Sequence, residues 1–204
     1  MNTSTCYLLR HGETVWNRDG NRYAGLTDVP LTGVGRDQAV QAARELASIE
    51  FDAIFSSTLS RTRDTAMVIA KSRNMAVVSD PRLDEMNYGQ WEGRTHEGIR
   101  TENPGQWEAW AGDPATHRAG ETGETAVDVY ERMNAFMAEA FGDGQAILMV
   151  GHHTSMRVFL AGSLGMPLSN YRRLSIDNLG MCVLERSDWG LIWRGINQRW
   201  IERT

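Results

Sequence analysis

Four strand-like segments of the chain end in, or lead directly into, charged or imidazole side chains. In chain order these side chains are Arg10 and His11, then Arg61, then Glu85, then His152. In open α/β sheets, ligands bind beyond the carboxyl ends of the strands. One such ending would carry little weight, but four together predict that these side chains meet at a single functional site.

Several motifs together resemble those of the histidine phosphatase superfamily, the phosphoglycerate mutase-like proteins. They are the strand end RHGET at 10–14, the segment RYAGLTDVPLT at 22–32, the segments around Arg61 and Glu85, and the late His152. The tripeptide Arg-His-Gly alone would be weak evidence, whereas the combination is specific and runs through nearly the whole chain. The resemblance implies a phosphatase that acts on small phosphate monoesters.

By this resemblance, His11 is the nucleophile and forms a phosphohistidine, which divides one difficult displacement into two easier ones. Arg10 and Arg61 suit the charge on the phosphoryl group because guanidinium groups bind phosphate oxygens bidentately and stay charged. The resemblance adds His152 as a second imidazole, protonated and cationic in that role. Glu85 is expected to protonate the leaving alkoxide and then to activate water.

Other carboxylates compete with Glu85 for the proton-transfer role. Asp84 and Glu92 lie close to it in the chain, and Glu85 could instead form an ion pair with Arg82 or Arg94. The spacing typical of the family favours Glu85.

Further substrate contacts are expected from residues around these motifs. They are Asn17, Arg22, Tyr23, Ala24, Gly25, Tyr88, His153 and Thr154. Asn17 offers a neutral donor, and Thr154 is either a phosphate contact at the start of a helix or a plain N-cap. His153 stands where the family usually has a small residue. It could crowd the pocket, add a positive group or point away, and we expect the outward orientation.

The segment 95–124 differs from the rest of the chain in its poor periodicity, with only a short possible helix near Trp107 and Trp110. It is either a substrate-facing lid or a disordered surface loop. The two tryptophans could cap an apolar part of the substrate, but their spacing favours a core position. Sugar phosphates, phosphoglycerate-type acids, nucleoside-related phosphates and phosphoamino acids all remain open as substrates.

Two other functions are compatible with the same pocket. A phosphoglycerate mutase would return the phosphoryl group to a bound sugar acid. Family mutases carry a longer basic insertion, whereas here 66 residues separate Glu85 from His152 and the intervening loop is not rich in Lys or Arg. A non-catalytic sensor of phosphorylated ligands needs the arginines but no proton donor, so the presence of His11 and Glu85 favours an enzyme.

The elements that must position these residues alternate along the chain. Short apolar segments predict strands at 5–9, 53–56, 76–78, 146–150, 181–185 and 191–197. Apolar residues at helical spacing predict helices over 32–47, 61–73 and 125–141. The alternation predicts an α/β fold, a three-layer α/β/α sandwich with a mostly parallel central sheet, in one domain over 1–204. A turn signal at 187–190 predicts that the last two strands are antiparallel.

Composition limits the partners of the protein. The chain has 204 residues, of which 41% are hydrophobic, and a net charge of -5. Nucleic acid and anionic membranes are not expected as partners, because both require a basic face. The expected partner is a small phosphorylated molecule, and a homodimer is a candidate assembly because dimers recur in the family. No cluster has metal-ligand spacing, so neither a metal nor another cofactor is expected.

Localisation follows from what the sequence lacks. The start of the chain has no basic region and only a short apolar run, unlike a signal peptide, and no stretch approaches the length of a membrane span. The two cysteines, Cys6 and Cys182, lie in apolar segments typical of reduced, buried thiols. A cytoplasmic protein is predicted.

Overall fold

A computed structural model describes residues 4–188 and 190–199 of the protein. Its strands are β1 (Ser4–Arg10), β2 (Ala53–Ser56), β3 (Val77–Ser79), β4 (Ala146–Gly151), β5 (Met181–Ser187) and β6 (Gly190–Gln198). They form one sheet in the order β3-β2-β4-β1-β5-β6. The pairs β1/β4, β4/β2 and β2/β3 are parallel, as predicted for most of the sheet.

The last two strands of the sheet run antiparallel to their neighbours. β5 pairs antiparallel with both β1 and β6, which confirms the predicted final pair and adds a second antiparallel contact that the sequence did not indicate. Trp189, in the predicted turn between β5 and β6, lies outside the described residues.

The helices of the described chain include the three that were predicted. They are α1 (Val15–Arg18), α2 (Gly33–Glu45), α3 (Ser60–Lys71), α4 (His96–Glu102), α5 (Pro104–Gly112), α6 (Ala126–Ala140) and α7 (His153–Ser163). The Thr32 side chain caps α2 by accepting from the backbone N–H of Gly35, and Thr125 forms a capping box with Asp128 at the start of α6. Both caps lie at the start of helices that the apolar spacing predicted.

Helices cover both faces of the sheet. Along β1, Leu8 packs in the apolar core that contains residues of α6 and α7, and Leu9 packs in the core that contains residues of α2 and α3. Successive side chains of a strand point to opposite faces, so a strand that is buried on both faces is apolar at every position. The predicted three-layer α/β/α architecture is confirmed.

The segment 95–124, for which the sequence left a disordered loop as one alternative, contains the helices α4 and α5. Ile99 and Trp110 are fully buried in the core that also contains α6 and α7. The rings of Trp91, Trp107 and Trp110 lie with their centroids 5.1 to 5.9 Å apart. These apolar anchors fold the segment onto the domain beside the carboxyl edge of the sheet.

Two features of the described residues relate to the expected compartment and to the expected state of the cysteines. No helix within residues 4–188 and 190–199 is both long and apolar enough to cross a membrane. Cys6 and Cys182 are both free and buried.

The loop that follows β1 lies directly against the first turn of α2. The backbone N–H of Thr32 donates to the carbonyl of Glu13 at 2.9 Å. A Cβ atom on Gly35 would lie only 2.1 Å from the Glu13 carbonyl oxygen, and one on Gly12 would lie 2.4 Å from that of Gly35. Two glycines are therefore needed for this close backbone approach.

Replacing Gly35 with alanine is expected to lower the free energy of unfolding by roughly 1 to 3 kcal/mol, because the added methyl group meets backbone that cannot yield. Urea denaturation would measure the change. Gly33→Ala is the matched control: it lies in the same helical turn, no atom lies within 4 Å of its added Cβ, and it should not destabilise the protein. Equal stability of Gly35→Ala and the wild type would contradict the expectation.

Candidate active site

A cavity of about 340 Å³ lies at the carboxyl ends of the parallel strands. Its wall includes Arg10, His11, Arg61 and Glu85, four of the five side chains that the strand endings predicted to meet. The fifth, His152, is fully buried beside the wall, with its ring centroid 5.3 Å from that of His11. The pairing of the four parallel strands brings these residues to one edge of the sheet.

The imidazole of His11 is held in one neutral tautomer. Its Nδ1 lies 2.7 Å from the carbonyl oxygen of Gly12, and because a carbonyl can only accept, Nδ1 carries the proton. Burial, followed by the charges of Arg61 and Arg10, lowers the pKa of His11 well below its ordinary value. At neutral pH the ring therefore keeps an unprotonated Nε2, the atom that can attack an electrophile.

The guanidinium of Arg61 is fully buried and connects three segments of the chain. Nη1 donates to the carbonyl of Thr27 at 2.9 Å, and Nη2 donates to the carbonyl of Gly25 at 2.7 Å. Nε donates to Nδ1 of His152 at 3.2 Å. One N–H on each terminal nitrogen is left for a ligand.

Arg10 also offers an unused donor. Its Nη1 donates to the carbonyl of Ile176 at 2.8 Å, while its buried Nε has no hydrogen-bond partner among the described residues. Burial lowers the pKa of Arg10 to about 10, so the side chain still carries its charge at neutral pH. Its terminal nitrogens make one hydrogen bond within the described chain and therefore retain N–H groups for a ligand.

His152 differs from the expected cation. Its Nδ1 accepts from Arg61, so that nitrogen carries no proton, and its Nε2 donates to the hydroxyl of Ser57 at 2.7 Å. Burial and then the charge of Arg61 lower the pKa of His152 well below its ordinary value. Strand endings indicate where this imidazole lies, but its proton state depends on a hydrogen bond to a residue 91 positions away.

The carboxylate of Glu85 lies on the N-terminus of α7. Oε1 accepts from the backbone N–H groups of Met86 at 2.9 Å and Ser155 at 2.8 Å, and Oε2 accepts from that of Thr154 at 3.0 Å. Helix N-termini attract anions, and here the anion is a side chain of the protein. The backbone N–H of Thr154 is therefore not free to bind phosphate, because Glu85 occupies it.

The hydroxyl oxygen of Thr154 accepts two hydrogen bonds, which leaves its O–H as a donor. It accepts from the Tyr88 hydroxyl at 2.7 Å and from Nη2 of Arg157 at 3.2 Å. Thr154 and Tyr88 both line the cavity, so this bond joins two of the predicted contact residues in its wall.

The rival carboxylates are engaged elsewhere and do not line the cavity. Asp84 accepts from the backbone N–H and hydroxyl of Thr58, and Glu92 accepts from the backbone N–H groups of Leu26 and Thr27. The alternative ion pairs of Glu85 are also absent from the described residues. Instead the arginines pair with other acids: Arg82 with Asp80 and Glu139, and Arg94 with Glu102.

Most of the remaining predicted contact residues lie on the cavity wall. They are Asn17, Arg22, Tyr23, Ala24, Tyr88, His153 and Thr154. The amide oxygen of Asn17 accepts from the Thr14 backbone and from Asn178, which leaves its amide nitrogen as a donor.

Gly25 is the exception among these residues, because it lies off the wall. Its carbonyl is occupied by Arg61, and its φ of +52° favours glycine. A Cβ there would lie 2.0 Å from Oε1 of Glu92, so the loop requires glycine at this position.

His153 lines the cavity instead of pointing outward. Burial, followed by the charges of Arg157 and Arg10, lowers its pKa to about 2. The side chain therefore narrows the cavity as a neutral imidazole and adds no positive charge.

The wall also contains residues that sequence reasoning missed or assigned to the core. They are Thr14, Asn21, His96, Trp107, Trp110, Arg157, Tyr171 and Arg172. Arg157 follows His153 by four positions on α7, so helical spacing could have identified it. Tyr171 and Arg172 lie in a short 3₁₀ turn, Leu168–Arg173, for which the sequence has no comparable signal. Among residues 4–188 and 190–199, no group of His, Cys, Asp and Glu side chains is arranged to hold a metal ion.

Known proteins resemble the chain over most of its length. A family model described as histidine phosphatase superfamily (branch 1) matches residues 6–199. Phosphoserine phosphatase 1 of Hydrogenobacter thermophilus is 33% identical over 184 residues, which cover 89% of this chain and 86% of that protein. The protein named "Probable phosphoglycerate mutase GpmB" of Escherichia fergusonii is 34% identical over 185 residues, which cover 90% of this chain and 84% of that protein. A mycobacterial glucosyl-3-phosphoglycerate phosphatase, solved in complex with VO3, has a TM-score of 0.85 at 31% identity, covering 96% of this chain and 100% of that one.

The neutral state of His153 predicts a pH dependence of stability. Below the ordinary histidine pKa of 6.5, the imidazole of His153 is protonated in the unfolded chain but not in the folded protein. Protonation therefore favours the unfolded state, and the free energy of unfolding decreases as the pH falls. Replacing His153 with asparagine should reduce the slope of the unfolding free energy against pH by up to about 1.4 kcal/mol per unit between pH 6 and pH 5. Urea denaturation across this range measures the slope, and an identical slope in both proteins would contradict the expectation.

Proposed function

The chain belongs to the histidine phosphatase superfamily, and we propose that it hydrolyses small phosphate monoesters through a phosphohistidine on His11. The observation that carries this proposal is the tautomer of His11, whose protonated Nδ1 donates to Gly12 and whose Nε2 is therefore the free nucleophile. This neutral ring shares the cavity wall with Arg10 and Arg61, both of which retain unused N–H groups.

The first step forms the phosphohistidine. Nε2 of His11 attacks phosphorus while the bond to the ester oxygen breaks, and Glu85 gives its proton to that oxygen. The positive charge that develops on the ring is stabilised by the bond from Nδ1 to the Gly12 carbonyl. Arg10, Arg61 and the amide of Asn17 stabilise the charge on the phosphoryl oxygens.

The second step returns the enzyme to its starting state. Glu85 takes a proton from water, the hydroxide oxygen bonds to phosphorus, and the bond from phosphorus to Nε2 breaks. Inorganic phosphate is released, and Glu85 is protonated for the next cycle. Three backbone N–H bonds hold the Glu85 carboxylate in one place for both transfers. His152 is assigned a positioning role, since it contacts Arg61 and lies off the wall.

His11→Ala should lower the release of phosphate from p-nitrophenyl phosphate by roughly a thousand-fold or more, because the nucleophile is lost. Acid-quenched labelling with a radioactive phosphate ester should give a phosphoenzyme in the wild type and none in the variant. His117→Ala, at an exposed histidine outside the cavity wall, is the matched control and should keep both signals. Wild-type turnover in His11→Ala, or no turnover by the folded wild type, would contradict the proposal.

Glu85→Gln should show a dependence on the leaving group. An alkoxide needs a proton to leave whereas nitrophenolate does not, so we expect hydrolysis of an alkyl phosphate to slow by roughly 100- to 10,000-fold. The first turnover of p-nitrophenyl phosphate should slow much less and appear as a burst in rapid-quench measurements. Asp84→Asn, at the neighbouring carboxylate, is the control and should leave the ratio of the two esters unchanged. If Glu85→Gln lost the same factor in rate for both esters, Glu85 would not be the proton donor.

Water as the final acceptor distinguishes this proposal from a mutase. Incubation with 2,3-bisphosphoglycerate and 3-phosphoglycerate should release inorganic phosphate without interconverting the phosphoglycerates. Appreciable interconversion would assign the mutase reaction instead.

A further inference from the structure

The proposed reaction uses only part of the positive charge on the cavity wall. Five arginines line the cavity, and Glu85 is the one carboxylate on that wall among the described residues. The arginines are Arg10, Arg22, Arg61, Arg157 and Arg172. Within the part of the chain that the structure describes, only Arg22 of this set forms an ion pair, which it makes with Asp19.

A phosphoryl dianion does not balance this charge. Arg10 and Arg61 match its two negative charges and hold its oxygens. Arg157 and Arg172 remain, with Glu85 as the nearest source of opposite charge on the wall. In the proposed reaction Glu85 is protonated when the ester binds, so both positive charges are then unmatched, and an ionised Glu85 matches only one of them. Charges held in a partly desolvated cavity without counter-charge are unfavourable, and a ligand that supplies an anion relieves the cost.

The two remaining guanidinium groups are held in place by neutral groups. Arg157 donates to the carbonyls of His153 and Leu174, and Arg172 donates through Nη1 to the carbonyl of Ala111 at 2.9 Å. Both lie against the ring of Tyr171, at 5.2 and 4.9 Å from its centroid. They are therefore positioned together without any protein carboxylate.

Neighbouring phenols do not supply the missing charge. Burial raises the pKa of Tyr23 to about 12 and raises that of Tyr171, although the two arginines act in the opposite direction. Both phenols are neutral at physiological pH. Nη2 of Arg172 is buried and has no hydrogen-bond acceptor in the described chain.

Buried side chains connect Arg172 to Glu85. Thr154 binds Glu85 through its backbone and Tyr88 through its hydroxyl. The ring of Tyr88 lies 6.3 Å from that of Trp110, and Trp110 in turn lies under the guanidinium of Arg172 at 4.1 Å. The buried ring of Trp110 therefore holds the guanidinium of Arg172 at the cavity wall that also contains Glu85.

We propose that Arg157 and Arg172 form a second anion subsite that binds a carboxylate on the organic part of the phosphate ester. This inference rests on the proposed function and names its substrate class, phosphomonoesters of small carboxylic acids. A carboxylate supplies negative charge to this pair of arginines, which have no carboxylate partner among the described residues. Arginine also suits the planar carboxylate because its N–H groups bind both oxygens.

Two pairs of esters that differ by the carboxylate test the subsite. They are 3-phosphoglycerate with glycerol 3-phosphate, and O-phosphoserine with O-phosphoethanolamine. In at least one pair, the wild type should show a kcat/KM roughly 10- to 100-fold higher for the acid, and Arg172→Gln should bring that ratio close to one. Arg172→Lys should keep part of the preference because it keeps the charge. Arg173→Gln, at the exposed neighbour in the same turn, is the matched control and should keep the full ratio.

Binding to the His11→Ala variant, measured by calorimetry, separates the two proposals. If no ester is hydrolysed by the wild type, the proposed function fails, yet tighter binding of the acids that is lost on adding Arg172→Gln would still support the subsite. The subsite is overturned if neither pair shows a preference for the acid. It is also overturned if Arg172→Gln leaves the preference intact or weakens both members of a pair equally.

Discussion

The buried guanidinium of Arg61 is the interaction on which the rest of the site depends. It binds the carbonyls of Gly25 and Thr27 and the ring of His152, and so joins α3, the loop before α2 and the end of β4. No carboxylate within the described residues pairs with it. Its charge therefore acts on its surroundings, where it contributes to lowering the pKa of His11 and His152. Positive charge and a neutral imidazole are thus maintained side by side.

Negative charge is kept at a separate position by the same fold. Glu85 lies on the N-terminus of α7 rather than on an arginine, because the backbone N–H groups of Thr154 and Ser155 reach its two oxygens. An arginine that paired with Glu85 would be less available to phosphate, and the carboxylate would be turned toward that arginine. The helix start orients Glu85 without using up a guanidinium. Proton transfer and phosphate binding can therefore occupy neighbouring parts of one cavity.

The positions of the reactive residues were predictable because strand topology determines them. Parallel pairing of β1, β2, β3 and β4 places their carboxyl ends at one edge, so Arg10, His11, Arg61 and Glu85 had to converge. The three-layer architecture follows from the same alternation of strands and helices. The antiparallel pairing of β5 with β1 was not predictable, since it depends on which edge of the sheet remains available once the earlier strands have paired.

What escaped prediction depends on side-chain contacts between distant segments. The tautomer of His152 depends on its hydrogen bond from Arg61, and the position of His153 on the cavity wall depends on burial that its place in the sequence does not reveal. Arg172 belongs to a short turn, and its guanidinium lies on the buried ring of Trp110, which is distant in the sequence. In the proposed function, the reacting groups lie at or after strand ends, where topology constrains them, while the proposed selectivity depends on elements packed around the rim. This separation allows one catalytic arrangement to be combined with different surroundings for the organic part of a substrate.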